Sequence, residues 1–163
     1  MKIAPYRAAR LLVFLNPETD PMGMGYQLKQ ALIAVGSGGI FGLGLGMSVQ
    51  KFGFLPQSMA DSIFAIFSEE TGFIGSLILI FLFLIFFWRG FKIAKKSMDQ
   101  FSKLAALGIS CWIILQALIN IGSMIGIIPL TGVPLPFLSY GGSALVTELI
   151  GVGILLNISK NTI

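Results

Sequence analysis

From residue 104 to residue 147 the chain carries no charged side chain. An uncharged, largely apolar stretch of that length restricts the fold more than any other feature, because it belongs in lipid. One continuous helix is ruled out by Pro129, Pro134 and Pro136 in its middle, since proline lacks the backbone donor and clashes with the preceding turn. The pattern therefore predicts a span over 104–128, a connecting loop, and a second span over 136–158. A further apolar run covers 72–88 and is followed at once by Arg89, Lys92, Lys95 and Lys96. At ~1.5 Å rise per residue it reaches roughly 26 Å, enough for the hydrocarbon core once flanking residues are added. Charged residues make up 11% of the chain against roughly 25% in globular proteins.

The expected fold is all-α: a polytopic membrane protein with three transmembrane helices in 71–163, preceded by a long extracytoplasmic loop over 1–70 that holds short helices. Together these form one membrane domain. Lysine and arginine concentrate on the cytoplasmic side of spans, so the cluster 89–96 and Lys160 are placed inside and residue 61 outside. Lys2, Arg7 and Arg10 run against this bias, which long loops obey weakly. Residues 1–30 read as polar and turn-rich, punctuated by Pro5, Pro17, Pro21, Gly23 and Gly25, and 26–35 as a short helix. The uncharged stretch 30–50 is long enough to tempt assignment as a span. Its GSGGIFGLGLG segment argues for a re-entrant or interfacial loop instead, since each glycine costs a helix about 1 kcal/mol relative to alanine.

The net charge of +4 forms no stripe for nucleic acid; the cations sit at the ends of apolar runs. With Cys111 as the single cysteine there is no disulfide or cysteine metal site. The absence of histidine leaves proton transfer to carboxylates, lysines or tyrosines. The first ten residues are basic, but LLVFLNPETD is too short an apolar core for a secretory signal, and the chain begins as a piece of a larger protein would.

Asp61 stands in a short polar break just before the apolar run, at the level where a lipid-borne substrate would meet it. It is a candidate catalytic acid or base, and equally a candidate N-cap for a helix starting near Ser62. Glu69 and Glu70 follow too far along a helix to pair with it in the manner of glycosidase carboxylates. They read as charges at the positive N-terminal end of the next span. The glycine segment could present N–H groups to a phosphate or pack its bare backbone against neighbours. Lys51, Arg7 and Arg10 are candidate phosphate contacts or ordinary solvated charges, and Gln50 beside Lys51 is a further candidate substrate contact. Glu148 lies inside a span, where an acid is a functional candidate by default, with Gln116, Asn120 and Thr147 as possible hydrogen-bonding neighbours. LPFLSYGGSA could shape a cavity, with Ser139 and Tyr140 as substrate contacts, or merely break one helix and start another.

Several of these segments occur in a familiar order. RLLVFLNPETDPMGMGYQLKQALIAVGSGGIFGLGLGMSVQKFGFLP, ADSIFAIFSEETGFIG, PLTGVPLPFLSYGGSA and GILLNIS resemble the SEDS family (shape, elongation, division and sporulation), its FtsW-like members most of all. The resemblance implies a polytopic glycosyltransferase of the bacterial cytoplasmic membrane. Such enzymes polymerise lipid II into β-1,4 glycan strands on the outer face, with inversion at the donor sugar. The family's essential aspartate lies in a motif like LP…TDFIFA…EE. Here the motif reads LPQSMADSIFAIFSEE, which maps that aspartate onto Asp61 as general base, with Ala60 and Ser62 where the family has threonine and phenylalanine. Lys51, Arg7 and Arg10, together with a divalent cation, would meet the pyrophosphate; no metal-ligating residue is assigned. A class B penicillin-binding protein, a transpeptidase, is the implied partner alongside other division proteins. The matched portion is the large loop and the last three spans, so little activity is expected of this chain alone. Two other functions fit a chain of this kind: a lipid II flippase, in which Glu148 would matter more than Asp61, and a non-catalytic division scaffold.

Overall fold

The computed structural model describes residues 5–16, 18, 20, 23–48 and 61–160, with side-chain detail from Arg10 onward. These residues form five helices and no strand: α1 Pro5–Leu15, α2 Met24–Ser37, α3 Ile63–Lys96, α4 Gln100–Met124 and α5 Gly142–Lys160. The all-helical class and three long apolar helices are as expected.

The turn-rich reading of residues 1–30 is overturned by α1. Its prolines are punctuation in the literal sense: Pro5 occupies the first position of the helix, where a fixed φ and missing N–H cost nothing. Of the ten residues that follow Pro5 in the helix, seven are alanine, leucine or arginine, all good helix formers. Val13 is buried while Leu11, Leu12 and Leu15 stay exposed. Next, α2 buries Gly25, Leu28, Ala31 and Ala34, a three-residue spacing that aligns one narrow face. The Asp20 carboxylate accepts the Met24 N–H at 2.9 Å at its start.

α3 is two helical halves joined across a break at Gly72 (φ 70°, ψ −166°). Residue 72, the expected start of the first span, is thus where its second half begins. The break frees backbone groups that membrane burial would make costly, and the glycine segment after α2 satisfies them. Leu43 and Gly44 N–H donate to the carbonyls of Glu69 and Glu70 (3.0 and 3.1 Å). In return Phe73 and Ile74 N–H donate to those of Gly39 and Ile40 (2.9 and 3.3 Å). Backbone meets backbone so closely that a Cβ on Gly72 would strike the Gly42 nitrogen and the Ile40 carbonyl. Within the glycine segment, Gly38 and Gly42 serve this close packing, since a Cβ on either would strike α3 backbone. Ser76 ties the two halves, donating to Gly72 O at 2.9 Å and lying 3.0 Å from the Ser68 hydroxyl.

The other helix boundaries shift outward or inward from the expected ones. The basic residues 89–96 lie on the last turns of α3 itself. Residues 100–124 replace 104–128, because Asp99 caps α4 through Ser102 N–H (2.9 Å). The third helix starts at Gly142 rather than residue 136, since the prolines and the positive φ of Phe137 (64°) hold 125–141 as a loop. The core joins Ile113, Ala117, Ile121 and Met124 of α4 to Phe64, Leu79 and Phe83 of α3 and to Leu28, Ala31 and Ala34 of α2. Lower down, Ala94 and Ala106 are fully buried, and a Cβ on Gly90 would overlap Ser110. Small residues here let α3 and α4 approach closely, as membrane helices do. The outward faces stay apolar, with Ile78, Phe81, Leu82, Leu149, Ile150 and Leu156 exposed. α3, α4 and α5 are each long and apolar enough to cross a membrane, and α5, at 19 residues, spans roughly 28 Å.

Candidate active site

Asp61 sits one residue before Ser62, the residue that precedes α3. It is not the helix cap, and its half-buried carboxylate makes no hydrogen bond or ion pair with a described residue. Its backbone, by contrast, is firmly held. The fully buried Asn120 of α4 donates through Nδ2 both to Asp61 O (2.8 Å) and to Val133 O (2.7 Å). One amide thus ties the start of α3 to the proline loop. Gln27 Nε2 of α2 reaches the buried Ser62 hydroxyl at 3.1 Å and fixes the same corner from another side.

A second clamp comes from α1. Arg10 Nη1 donates to Leu130 O (2.9 Å) and Thr131 O (2.7 Å), so the guanidinium braces the loop. Between the two clamped stretches lies Gly132, with φ 70°. The place a Cβ would take there is 3.6 Å from Asp61 Oδ2 and 3.7 Å from Arg10 Nη2. A carboxylate and a guanidinium therefore border the same bare glycine. A positioned backbone carrying a carboxylate that no described residue engages is an arrangement compatible with proton transfer.

The other predicted site residues separate into three groups. Gln50 and Lys51 lie outside the described residues. Arg7 is on α1, three positions before Arg10, and its side chain also lies outside them. Ser139 and Tyr140 line a groove of about 570 Å³ together with Ile63, Phe67 and Glu70. Asp61 is not part of that lining, so the structure does not bring it together with these two. The Ser139 hydroxyl accepts Leu135 N–H at 2.7 Å and shapes the turn, while Tyr140 is 83% exposed.

Glu69 and Glu70 do not cap the second half of α3, because the glycine-loop carbonyls already occupy that role. Instead the buried Glu69 carboxylate accepts a short hydrogen bond from Ser48. Glu70 turns toward the groove with Oε1 buried and unpartnered among the described residues. It is the groove residue that sequence reasoning missed. The available signal was its spacing: Ile63, Phe67 and Glu70 fall on one face of a helix.

Glu148 is buried and doubly engaged. Gln116 Nε2 approaches Oε1 at 3.3 Å, and Phe137 N–H donates to Oε2 at 2.8 Å. Phe137 carries the positive φ that a bulky side chain rarely adopts, and this carboxylate secures it. Of its expected neighbours only Gln116 serves; Asn120 holds Asp61, and Thr147 bonds back to Ser143 O at 2.8 Å. Among the described residues no three His, Cys, Asp or Glu side chains stand close enough to hold a metal ion.

A helical membrane bundle with a broken helix, and a clamped acid at the head of that helix, defines the class. Residues 1–163 match the family described as cell cycle protein, comprising FtsW, RodA and SpoVE, and the chain belongs to it. This is the SEDS family. Over 96% of its length the chain is 52% identical to stage V sporulation protein E of Bacillus subtilis, covering 43% of that protein. It is 48% identical to a probable peptidoglycan glycosyltransferase FtsW of a Thioalkalivibrio species, with 96% of the chain and 40% of that protein covered. Among solved structures, one from work on structural coordination of polymerization and crosslinking by a peptidoglycan synthase complex superposes with a TM-score of 0.74. The identity there is 27%, covering 98% of this chain and 43% of that one. The chain thus spans about two fifths of the length of the relatives it matches.

Proposed function

We propose that the protein polymerises lipid II into β-1,4 glycan strands at the outer face of the cytoplasmic membrane, with Asp61 as general base. The observation that carries this reading is the clamped backbone of Asp61, whose carboxylate no described residue engages and which borders Gly132 together with the Arg10 guanidinium. Relatives named probable peptidoglycan glycosyltransferase support it. In the reaction, Asp61 takes the proton from the 4-hydroxyl of the acceptor sugar. The oxygen so released attacks the donor's anomeric carbon from the face opposite the pyrophosphate. The new glycosidic bond forms as the bond to undecaprenyl pyrophosphate breaks, the electron pair leaves with the pyrophosphate, and the α-linked donor becomes β-linked. Arg10, braced by the loop carbonyls, supplies positive charge near the base, where charge moves in the transition state. A divalent cation would act by neutralising pyrophosphate charge. The described residues offer it Asp61 and no cluster of further ligands, so no step is assigned to it. The partner is a class B penicillin-binding protein, which crosslinks the strands as they are made.

The flippase reading is weakened by Glu148, whose two oxygens are occupied in holding the proline loop. The two functions separate in the full-length protein, purified with its transpeptidase and given labelled lipid II. Asp61→Asn is expected to abolish polymer while the protein still folds and binds its partner. If Asp61→Asn polymerises like wild type while Glu148→Gln blocks lipid translocation, the glycosyltransferase assignment is wrong.

A further inference from the structure

At the opposite end of the bundle from Asp61, the last turns of α3 and α5 enclose a groove of about 430 Å³. Arg89, Lys92 and Lys96 line one side of it, at spacings that put all three on one helix face. Val152, Leu155 and Leu156 of α5 form the facing apolar wall. Among the described residues no acid lines the groove. The nearest in sequence, Asp99, lines the adjoining hollow with Lys96, and its carboxylate is taken up by Ser102 N–H and hydroxyl (2.9 and 2.8 Å). Lys95, Lys103 and Lys160 add charge at the same end.

Depth places this groove at the membrane surface. From its break at Gly72 to Lys96, the second half of α3 rises roughly 36 Å, more than a ~30 Å hydrocarbon core, so its final turns emerge among the headgroups. Trp88 fits that level, since tryptophan favours the interface, and the Lys92 ammonium rests 4.9 Å from its ring centroid. Cations on one wall and aliphatic side chains on the other match a phosphate diester carrying acyl chains.

We propose that this groove is a binding site for an anionic phospholipid, with its phosphate among Arg89, Lys92 and Lys96 and an acyl chain along Val152, Leu155 and Leu156. Basic pockets between membrane helices bind anionic headgroups in this way. The site is independent of the glycosyltransferase reading and holds even if that reading fails.

Trp88 provides the readout. The full-length protein, with Trp112→Phe and any other tryptophan replaced, is reconstituted into phosphatidylcholine vesicles containing either dibrominated phosphatidylglycerol or dibrominated phosphatidylcholine. Half-maximal quenching is expected at a phosphatidylglycerol fraction on the order of fivefold below that for phosphatidylcholine. The preference should collapse in Arg89→Gln/Lys96→Gln and persist in Lys95→Gln/Lys160→Gln. Unchanged quenching by dibrominated phosphatidylcholine verifies that each variant inserts normally. Equal quenching by the two lipids in the parent protein would overturn the proposal and leave the groove to an acidic protein segment. So would an equal loss in both double variants, which marks diffuse surface attraction instead of a site.

Discussion

At the residue scale, what sets Asp61 apart is the contrast between a fixed backbone and a side chain that no described residue engages. Asn120 provides the fixing, and its removal should separate structure from chemistry. Asn120→Leu leaves the carbonyls of Asp61 and Val133 buried without their donor, at about 1–3 kcal/mol for each group so exposed. We expect a lower unfolding temperature in detergent and a slower polymerisation rate, although Asp61 itself is intact. Gly132→Ala probes the neighbouring space. The added Cβ meets Asp61 and Arg10 only at ordinary contact distance, and a left-handed alanine costs roughly 1–2 kcal/mol. The folded protein should survive while the gap between carboxylate and guanidinium is filled, so polymerisation should fall more than stability does. Asp61 was legible in the sequence as an acid at a membrane boundary. Asn120 was visible only as a polar residue in an apolar span. That it must find acceptors follows from burial, but nothing local says which carbonyls, since its partners lie 59 and 13 residues away.

At the element scale, the spans could be read from apolar length and proline position, and their ends could not. Boundaries depend on capping contacts such as Asp99 with Ser102, and on loops held by distant groups, as Glu148 holds Phe137. The hidden element was α1, because counting prolines obscured that Pro5 opens a sound helix. The glycine segment was readable as unfit for a span, yet its partner, the break at Gly72, emerges only when two backbones are seen together. Gly42→Ala and Gly72→Ala should each destabilise severely, by at least the ~1–3 kcal/mol of an overpacked core, because the obstacle is backbone that cannot rotate away. Thermal unfolding of each variant against Gly108→Ala, where a Cβ meets nothing, measures this. The α4 cap gives a pH test. The Ser102 N–H, then its hydroxyl, hold the Asp99 carboxyl below its ordinary value. A lowered folded-state pKa adds stability above the unfolded pKa that is lost as pH falls through the folded one. Protection of the Ser102 amide from hydrogen exchange should therefore weaken below the ordinary carboxylate range, and Asp99→Asn should remove that dependence.

At the scale of the whole molecule, the bundle has two chemically distinct ends. One gathers Asp61, Arg10, the proline loop and the groove of Glu70 and Tyr140. The other gathers the cations of α3 and α5. This polarity matches an enzyme that works on a lipid-linked sugar outside while its basic end meets the inner leaflet, and it makes the reading depend on orientation. The direct measurement is cysteine accessibility in intact cells, using the full-length protein with native cysteines such as Cys111 replaced and Asp61→Cys or Lys95→Cys introduced. A membrane-impermeant maleimide added outside should modify the cysteine at 61 and spare the one at 95 until the membrane is opened. The reverse pattern would leave Asp61 on the side where no outer-face acceptor sugar can reach it, and would contradict the account.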